Sequence, residues 1–167
     1  MKIRGKQKFD VPRKTVRLAR TVSGPDGEVY EELQIRVRAL PVGSERKMFE
    51  LFPEPERPSD YAKDARGMVL RDPETKKPVI VPVDSPAYLE ASSKATKNRM
   101  AYILYHGIDD PTCELPALPS PVTPAFYEAF FEELVEFGFT MGDLGTLMTA
   151  ITELMNVSAD LENAKGN

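Results

Sequence analysis

From Asp84 onward the chain carries three helix-length apolar patterns, each opened by a capping residue and closed by a breaker. The first runs from Asp84-Ser85-Pro86 to His106-Gly107. Asp84 or Ser85 can cap it, Pro86 sits where a missing N–H costs nothing, and Gly107 is placed just past its end. The spacing predicts a long helix over residues 85–106. Tyr88, Ala91, Ala95, Arg99 and Tyr102 share one face, which Leu89, Met100, Ile103 and Leu104 widen towards the C-terminal end. The middle is small and polar, so this helix is expected to be partly exposed.

The second pattern starts at Thr123-Pro124 and stops at Gly138. Phe126, Phe130 and Leu134 form one apolar row, and Tyr127, Phe131 and Val135 the next. The third opens at Thr140, with Asp143 three residues on as an approximate capping box. Leu144, Leu147, Met148, Ile151, Leu154 and Met155 then follow helical spacing. So short a connection predicts an antiparallel helical hairpin over 123–157. Residues 158–167 read as a frayed polar tail.

The first half has a different period. Val16, Leu18 and Val22 alternate with polar residues, although Arg20 falls in the apolar register. Leu33, Ile35, Val37 and Ala39 alternate likewise, and Ser23-Gly24-Pro25-Asp26-Gly27 between them is turn chemistry. A β-hairpin with a loop longer than two residues follows. Ser44 is placed to cap a short helix, Glu45 to Phe52. Residues 53–64, with Pro53, Pro55 and Pro58, read as a surface connector. Met68-Val69-Leu70-Arg71 and Val79-Ile80-Val81 suggest a second, smaller hairpin. The expected architecture is α+β: a small antiparallel sheet built from two β-hairpins, packed by one long helix and a C-terminal helical hairpin. Residues 1–107 form the hairpin-rich part, and 108–122, with four prolines, a semi-rigid bridge to the terminal helices.

No catalytic set stands out. The 10 glycines are isolated rather than gathered in a phosphate loop. Metal-ligand spacings of the CxxC and HExxH kinds do not occur. Cys113 and His106 are conceivable as a nucleophile pair, but a lone loop thiol beside a helix-terminal imidazole is the simpler reading. Asp109, Asp110 and Glu114 read as a solvated turn rather than a cation site. No cofactor is called for, and an enzyme is the least favoured class.

Charge is unevenly spread. The net is −4; residues 1–20 carry +7 and the remainder −11. This basic arm includes Lys2, Arg4, Lys6 and Lys8. It suits an acidic partner, or it is a solvated segment that blocks edge pairing. Without aromatic interleaving it gives little support to nucleic-acid binding. An apolar run long enough for a membrane span is absent, as is an apolar signal core after the charged N-terminus. The aromatic and methionine rows allow two readings: a private core, or a stripe that accepts a partner helix, with Met141, Met148 and Met155 recurring every seven residues.

The order of pieces carries a resemblance. A basic N-terminal segment with a hairpin precedes Pro82-Val83-Asp84-Ser85-Pro86-Ala87-Tyr88, which leads into a helix bearing Asn98-Arg99 and ending in Ile103-Leu104-Tyr105. A proline-broken bridge and acidic aromatic helices follow, then Ile151-Thr152-Glu153-Leu154 and a polar end with Glu162-Asn163-Ala164-Lys165. This arrangement resembles the tail assembly chaperones of long-tailed bacteriophages over most of the chain, best over 79–165. It departs from them at Asn156-Val157 and in the proline-rich 53–64 connector. The resemblance implies a non-enzymatic protein of the host cytoplasm, absent from the finished virion. It would bind the tape measure protein and help recruit tail tube subunits, in some cases with a longer frameshifted form. Candidate contacts are Tyr88, Tyr102, Tyr105, Phe126, Phe130, Met148 and Met155, with the arm residues Lys2, Arg4, Lys6 and Lys8 as an electrostatic contact. Self-association stays open. The rivals are a structural tail component (a completion or connector protein) and a nucleic-acid-binding regulator.

Overall fold

A computed structural model describes residues 10–25 and 27–163. The order of elements is β1 (Arg13–Gly24), β2 (Gly27–Arg38), α1 (Ser44–Leu51), β3 (Ser59–Tyr61), β4 (Ile80–Pro82), α2 (Pro86–Gly107), α3 (Pro124–Glu136) and α4 (Met141–Asn163). Among the described residues the fold is mixed α+β, with two separate two-stranded antiparallel sheets, β1–β2 and β3–β4, and four helices.

β1 and β2 pair antiparallel along their whole length, from Arg13 opposite Arg38 to Gly24 opposite Gly27. The connection is therefore two residues long, shorter than expected, because the flanking glycines carry the ladder right up to the turn. Gly27 has φ 117°, a conformation that costs glycine nothing. The second hairpin also differs from expectation. The strand Ile80–Pro82 pairs with Ser59–Tyr61, inside the presumed connector, and Tyr61 stands opposite Ile80. The 68–71 segment makes only isolated bridges, Lys63 with Val69 and Arg71 with Pro78. The prolines bound this short strand rather than interrupt it.

Helix starts follow the sequence closely. Ser85 Oγ accepts from Tyr88 N at 3.2 Å at the head of α2. Thr140 N donates to Asp143 Oδ2 at 2.8 Å, and Asp143 N to Thr140 Oγ1 at 3.2 Å, which is the expected capping box. Gly138, φ 97°, ends α3. Three positions differ. Gly43 rather than Ser44 caps α1, and Ser44 is a buried first residue of that helix. Gly107 belongs to α2 instead of lying past it. The α4 backbone continues through the polar segment to Asn163, where a frayed tail was expected from Ser158.

α4 packs on both strands of the β1–β2 hairpin and on α2, while α3 packs on α2. The antiparallel pair therefore leans on a shared third helix more than on itself. The reason is the two apolar rows of α3. They bury Tyr127, Phe130, Phe131 and Leu134 in one cluster with Tyr102 and Leu104 of α2, and with Ile35 and Val37 of β2. Ile108, beyond α2, bridges Val37, so the start of the proline-rich segment is stitched to the sheet edge. Tyr105 Oη fixes it again by donating to Pro116 O at 2.8 Å. No residue between Phe52 and Asn98 belongs to the buried core. The β3–β4 unit and the first three turns of α2 thus form an arm outside it, in line with the small, polar middle of that helix.

Candidate partner-binding surface

Along β1 and β2, residues opposite one another alternate between two faces. Val16, Leu18 and Arg20 share a face with Ile35, Leu33 and Glu31. α4 covers the part nearest Val16 and Ile35, both buried with Leu144, Leu147 and Ile151. Towards the hairpin tip the cover ends. Leu33 is 40% and Val29 51% exposed on that same face.

Arg20, which breaks the apolar pattern, stands at this boundary. Its Nε faces Glu31 Oε2 at 3.4 Å, and its NH1 donates to Gly138 O at 2.7 Å. One guanidinium so pins the α3–α4 turn against the hairpin. The turn displays Phe137 and Phe139, whose rings stack at 5.5 Å with a 25° interplanar angle. Phe137 is 72% exposed. Leu18, Leu33, Phe137 and Phe139, with Arg20, Glu31, Glu32 and Asp143 at the rim, enclose a groove of about 320 Å³. The Thr140 hydroxyl and backbone N–H hold the Asp143 carboxyl below the usual carboxylate range, with help from Arg20, so the rim stays anionic.

A second apolar surface lies on the arm. Tyr61, Met68, Leu70, Ile80 and Val83 are exposed around β3–β4. The base of the arm is closed by Arg57 NH2 on Asp84 Oδ1 at 2.8 Å, with the Arg57 guanidinium 5.9 Å from the Tyr88 ring centroid.

The candidate contact residues divide. Tyr102 and Phe130 are buried and Tyr105 and Phe126 half-buried, all within an internal aromatic cluster around Tyr127. Tyr105 meets Phe126, Tyr127 and Phe130 edge-on at 5.1–6.0 Å. Burial, and then the neighbouring Tyr102 and Tyr105, push the Tyr127 phenol up to about 12. Tyr88 is half-buried on the arm. Met148 packs half-buried against the core, whereas Met141 and Met155 are exposed on α4. Lys2, Arg4, Lys6 and Lys8 lie outside the described residues.

His106, Cys113, Asp109 and Asp110 make their contacts within the fold. His106 Nε2 lies 3.0 Å from Tyr127 Oη. Burial, with Arg38 and Lys47 nearby, lowers the imidazole pKa. Burial, then Asp110, raises the Cys113 thiol, the opposite of nucleophile activation. Asp109 gathers Arg13, Arg36 and Arg38 of the hairpin, and the Arg13 hydrogen bond holds its carboxyl low. Asp110 closes a turn onto Thr112 N and Oγ1 and accepts from Arg36 N at 2.7 Å. Among the described residues no group of three or more His, Cys, Asp or Glu is placed to hold a metal ion, and no helix is long and apolar enough to cross a membrane.

Leu33, Phe137 and Phe139 were not among the residues the sequence singled out for contact. Two signals could have pointed to them. Phe137-Gly138-Phe139 sets two large rings astride a helix breaker, where neither can join a helical row. Between Arg99 and Lys165 the chain also holds eleven Asp or Glu and no Lys or Arg. Comparison of the chain with protein-family models, with curated proteins and with solved structures finds no match.

Proposed function

We propose that this protein is a phage tail assembly chaperone. It binds the tape measure protein, shields its apolar helical surface in the host cytoplasm and helps recruit tail tube subunits, without being retained in the virion. The observation that supports this reading best is the placement of exposed apolar side chains. Several of them lie on the β3–β4 arm and several at the Leu33–Phe137 groove, while a separate aromatic core holds the fold together. Grouped exposed apolar side chains of this kind suit an interaction site. A holder of amphipathic helices needs such surface, with a charged rim to steer its client.

The test is co-expression with the tape measure protein that this reading requires as client. The tape measure protein is expected to stay soluble and to co-elute with this chain on size exclusion, and to aggregate when expressed alone. Equal solubility with and without the chain overturns the proposal. So does stoichiometric retention of the chain in purified particles, which identifies a structural tail component instead.

A further inference from the structure

We infer that the uncovered end of the β1–β2 face and the α3–α4 turn together dock a basic amphipathic helix of a partner polypeptide. This rests on the client-binding reading above and specifies the chemistry of the segment held. Three features carry it.

The first is continuity of the layer. α4 lies on the proximal part of the hairpin face and begins at Met141, beside the groove. From Leu33 to Val29 the same face runs on exposed. At about 3.4 Å per residue that is about 14 Å of strand, close to the diameter of one helix. A docked helix extends the layer that α4 starts.

The second is the anchor site. A groove of about 320 Å³ beside Leu33, Phe137 and Phe139 takes large apolar side chains, not a whole helix. A helix lying across it inserts residues at i and i+3 or i+4.

The third is charge. The rim carries Glu31, Glu32 and Asp143; Arg20 pairs with Glu31 and donates to the Gly138 carbonyl, and Arg17 lies 3.9 Å from Glu32, so the surplus charge is acidic and rests on Asp143. α3 runs into the turn with Glu132, Glu133 and Glu136 and no basic residue, while Glu128, further back, is paired with Lys94 of α2 at 2.8 Å. Its C-terminal end adds the negative pole of the helix dipole. An acidic or neutral helix gains nothing there, whereas Lys and Arg flanking an apolar stripe are drawn to the rim. The β3–β4 arm shows no such bias, because Lys63, Arg66, Arg71, Lys76 and Lys77 alternate with Asp60, Asp64, Asp72 and Glu74.

Fluorescence anisotropy on the full chain tests the inference with three labelled peptides of about 18 residues, a length that supports helix formation. One carries Leu at helical spacing with Lys elsewhere. The second keeps Leu and replaces Lys by Glu. The third keeps Lys and replaces Leu by Gln. The Leu/Lys peptide is expected to bind, more weakly as salt rises, and the other two at least about tenfold more weakly. Phe137→Ser and Leu33→Asn, both at exposed positions, are each expected to weaken the Leu/Lys peptide about tenfold with unchanged melting curves. Met68→Ser on the arm is expected to leave it unaltered.

Equal binding of the Leu/Glu or Gln/Lys peptide overturns the assigned chemistry, and indifference to both groove variants overturns the site. If removal of residues 1–9 tightens the Leu/Lys peptide more than about tenfold, the groove holds the chain's own basic arm and the partner assignment falls. The chaperone reading fails separately. If the Leu/Lys peptide binds but wild-type chain leaves the tape measure protein insoluble, the docking surface stands and that reading does not. If Phe137→Ser and Leu33→Asn chains still keep the tape measure protein soluble while no peptide binds, the docking surface falls and the reading stands.

Discussion

Gly107 and Ile151 meet where the end of α2 lies against α4, and the absence of a side chain on the glycine is what lets them meet. A Cβ built on Gly107 would lie 2.8 Å from Ile151 Cγ1 and nearer still to Cδ1. Ile151 is fully buried and belongs to the central cluster with Leu104, Leu144 and Leu147. Gly107 is helical, so its role is close approach of two helices rather than a left-handed turn.

Gly107→Ala should therefore reverse the usual sign of a helical glycine replacement. Alanine ordinarily gains about 1 kcal/mol in a helix interior. Here overpacking is expected to cost about 1–3 kcal/mol instead. Chemical denaturation of Gly107→Ala, Ile151→Ala and the double variant checks it. The double variant should be less destabilised than the two singles combined, because the added methyl fills space left by the truncated isoleucine. Strict additivity would show that the two side-chain positions do not collide.

Arg99 ties α1 to α2. Its Nε and NH2 both donate to Phe52 O, at 3.0 and 2.8 Å; its NH1 reaches Glu54 Oε2 at 2.7 Å, and its guanidinium lies 4.6 Å from the Phe49 ring centroid. Arg99→Ala is expected to destabilise by about 1–3 kcal/mol, since it strands the Phe52 carbonyl and removes the stacking. Arg99→Lys should recover less than half of that, because a point charge cannot replace the planar fork. Thermal melts of both variants decide it. Full recovery by lysine would reduce the arginine to a simple cation.

His106 is the only histidine, so titration between pH 7 and 5 is largely its own. The folded state lowers its pKa from the ordinary 6.5, through burial first and then Arg38 and Lys47. The unfolded chain consequently takes up a proton before the folded one. Stability is complete above pH 6.5 and falls as pH drops through 6.5 towards the lower folded value. Once protonated, Nε2 can only donate in its 3.0 Å contact with Tyr127 Oη. Denaturant midpoints at pH 7.5 and 5.5 should differ for the wild type, and the difference should shrink in His106→Gln. A wild-type midpoint that rises on acidification would contradict this assignment.

The arm should be separable from the core. Residues 58–83 include no buried side chain, and the Arg57–Asp84 ion pair brings their ends together. Replacing 58–83 by a short Gly/Ser linker is expected to shift the melting midpoint by no more than a few degrees, about the effect of 1 kcal/mol in a chain of this size. A cooperative loss of structure would mean that the arm carries core energy after all.

The basis of each element explains how much was legible in advance. The Ser85 cap, the Thr140–Asp143 box and the Gly138 stop involve residues no more than four positions apart, so local chemistry sets them wherever the helix later packs. The β1–β2 alternation was likewise readable, and with it the mixed α+β class. The partner of Ile80–Pro82 was not, because three-residue strands carry too little pattern to choose between Ser59–Tyr61 and the apolar 68–71 segment. Arg20 looked like a flaw in a strand until the fold brought Gly138, more than a hundred residues away, to its guanidinium.

The sequence by itself determined where the three long helices begin, that the long hairpin forms, and that the chain from Met100 to Ala164 is purely acidic in its charges. Tertiary structure alone decided which apolar residues face inward. Tyr102 and Phe130 joined the core, and Leu33 and Val135 were left in the open. Both outcomes satisfy the same helical or strand periodicity. Periodicity fixes which side chains share a face, whereas burial depends on which distant face arrives to cover it, and that is settled only when α4 stops short of the hairpin tip.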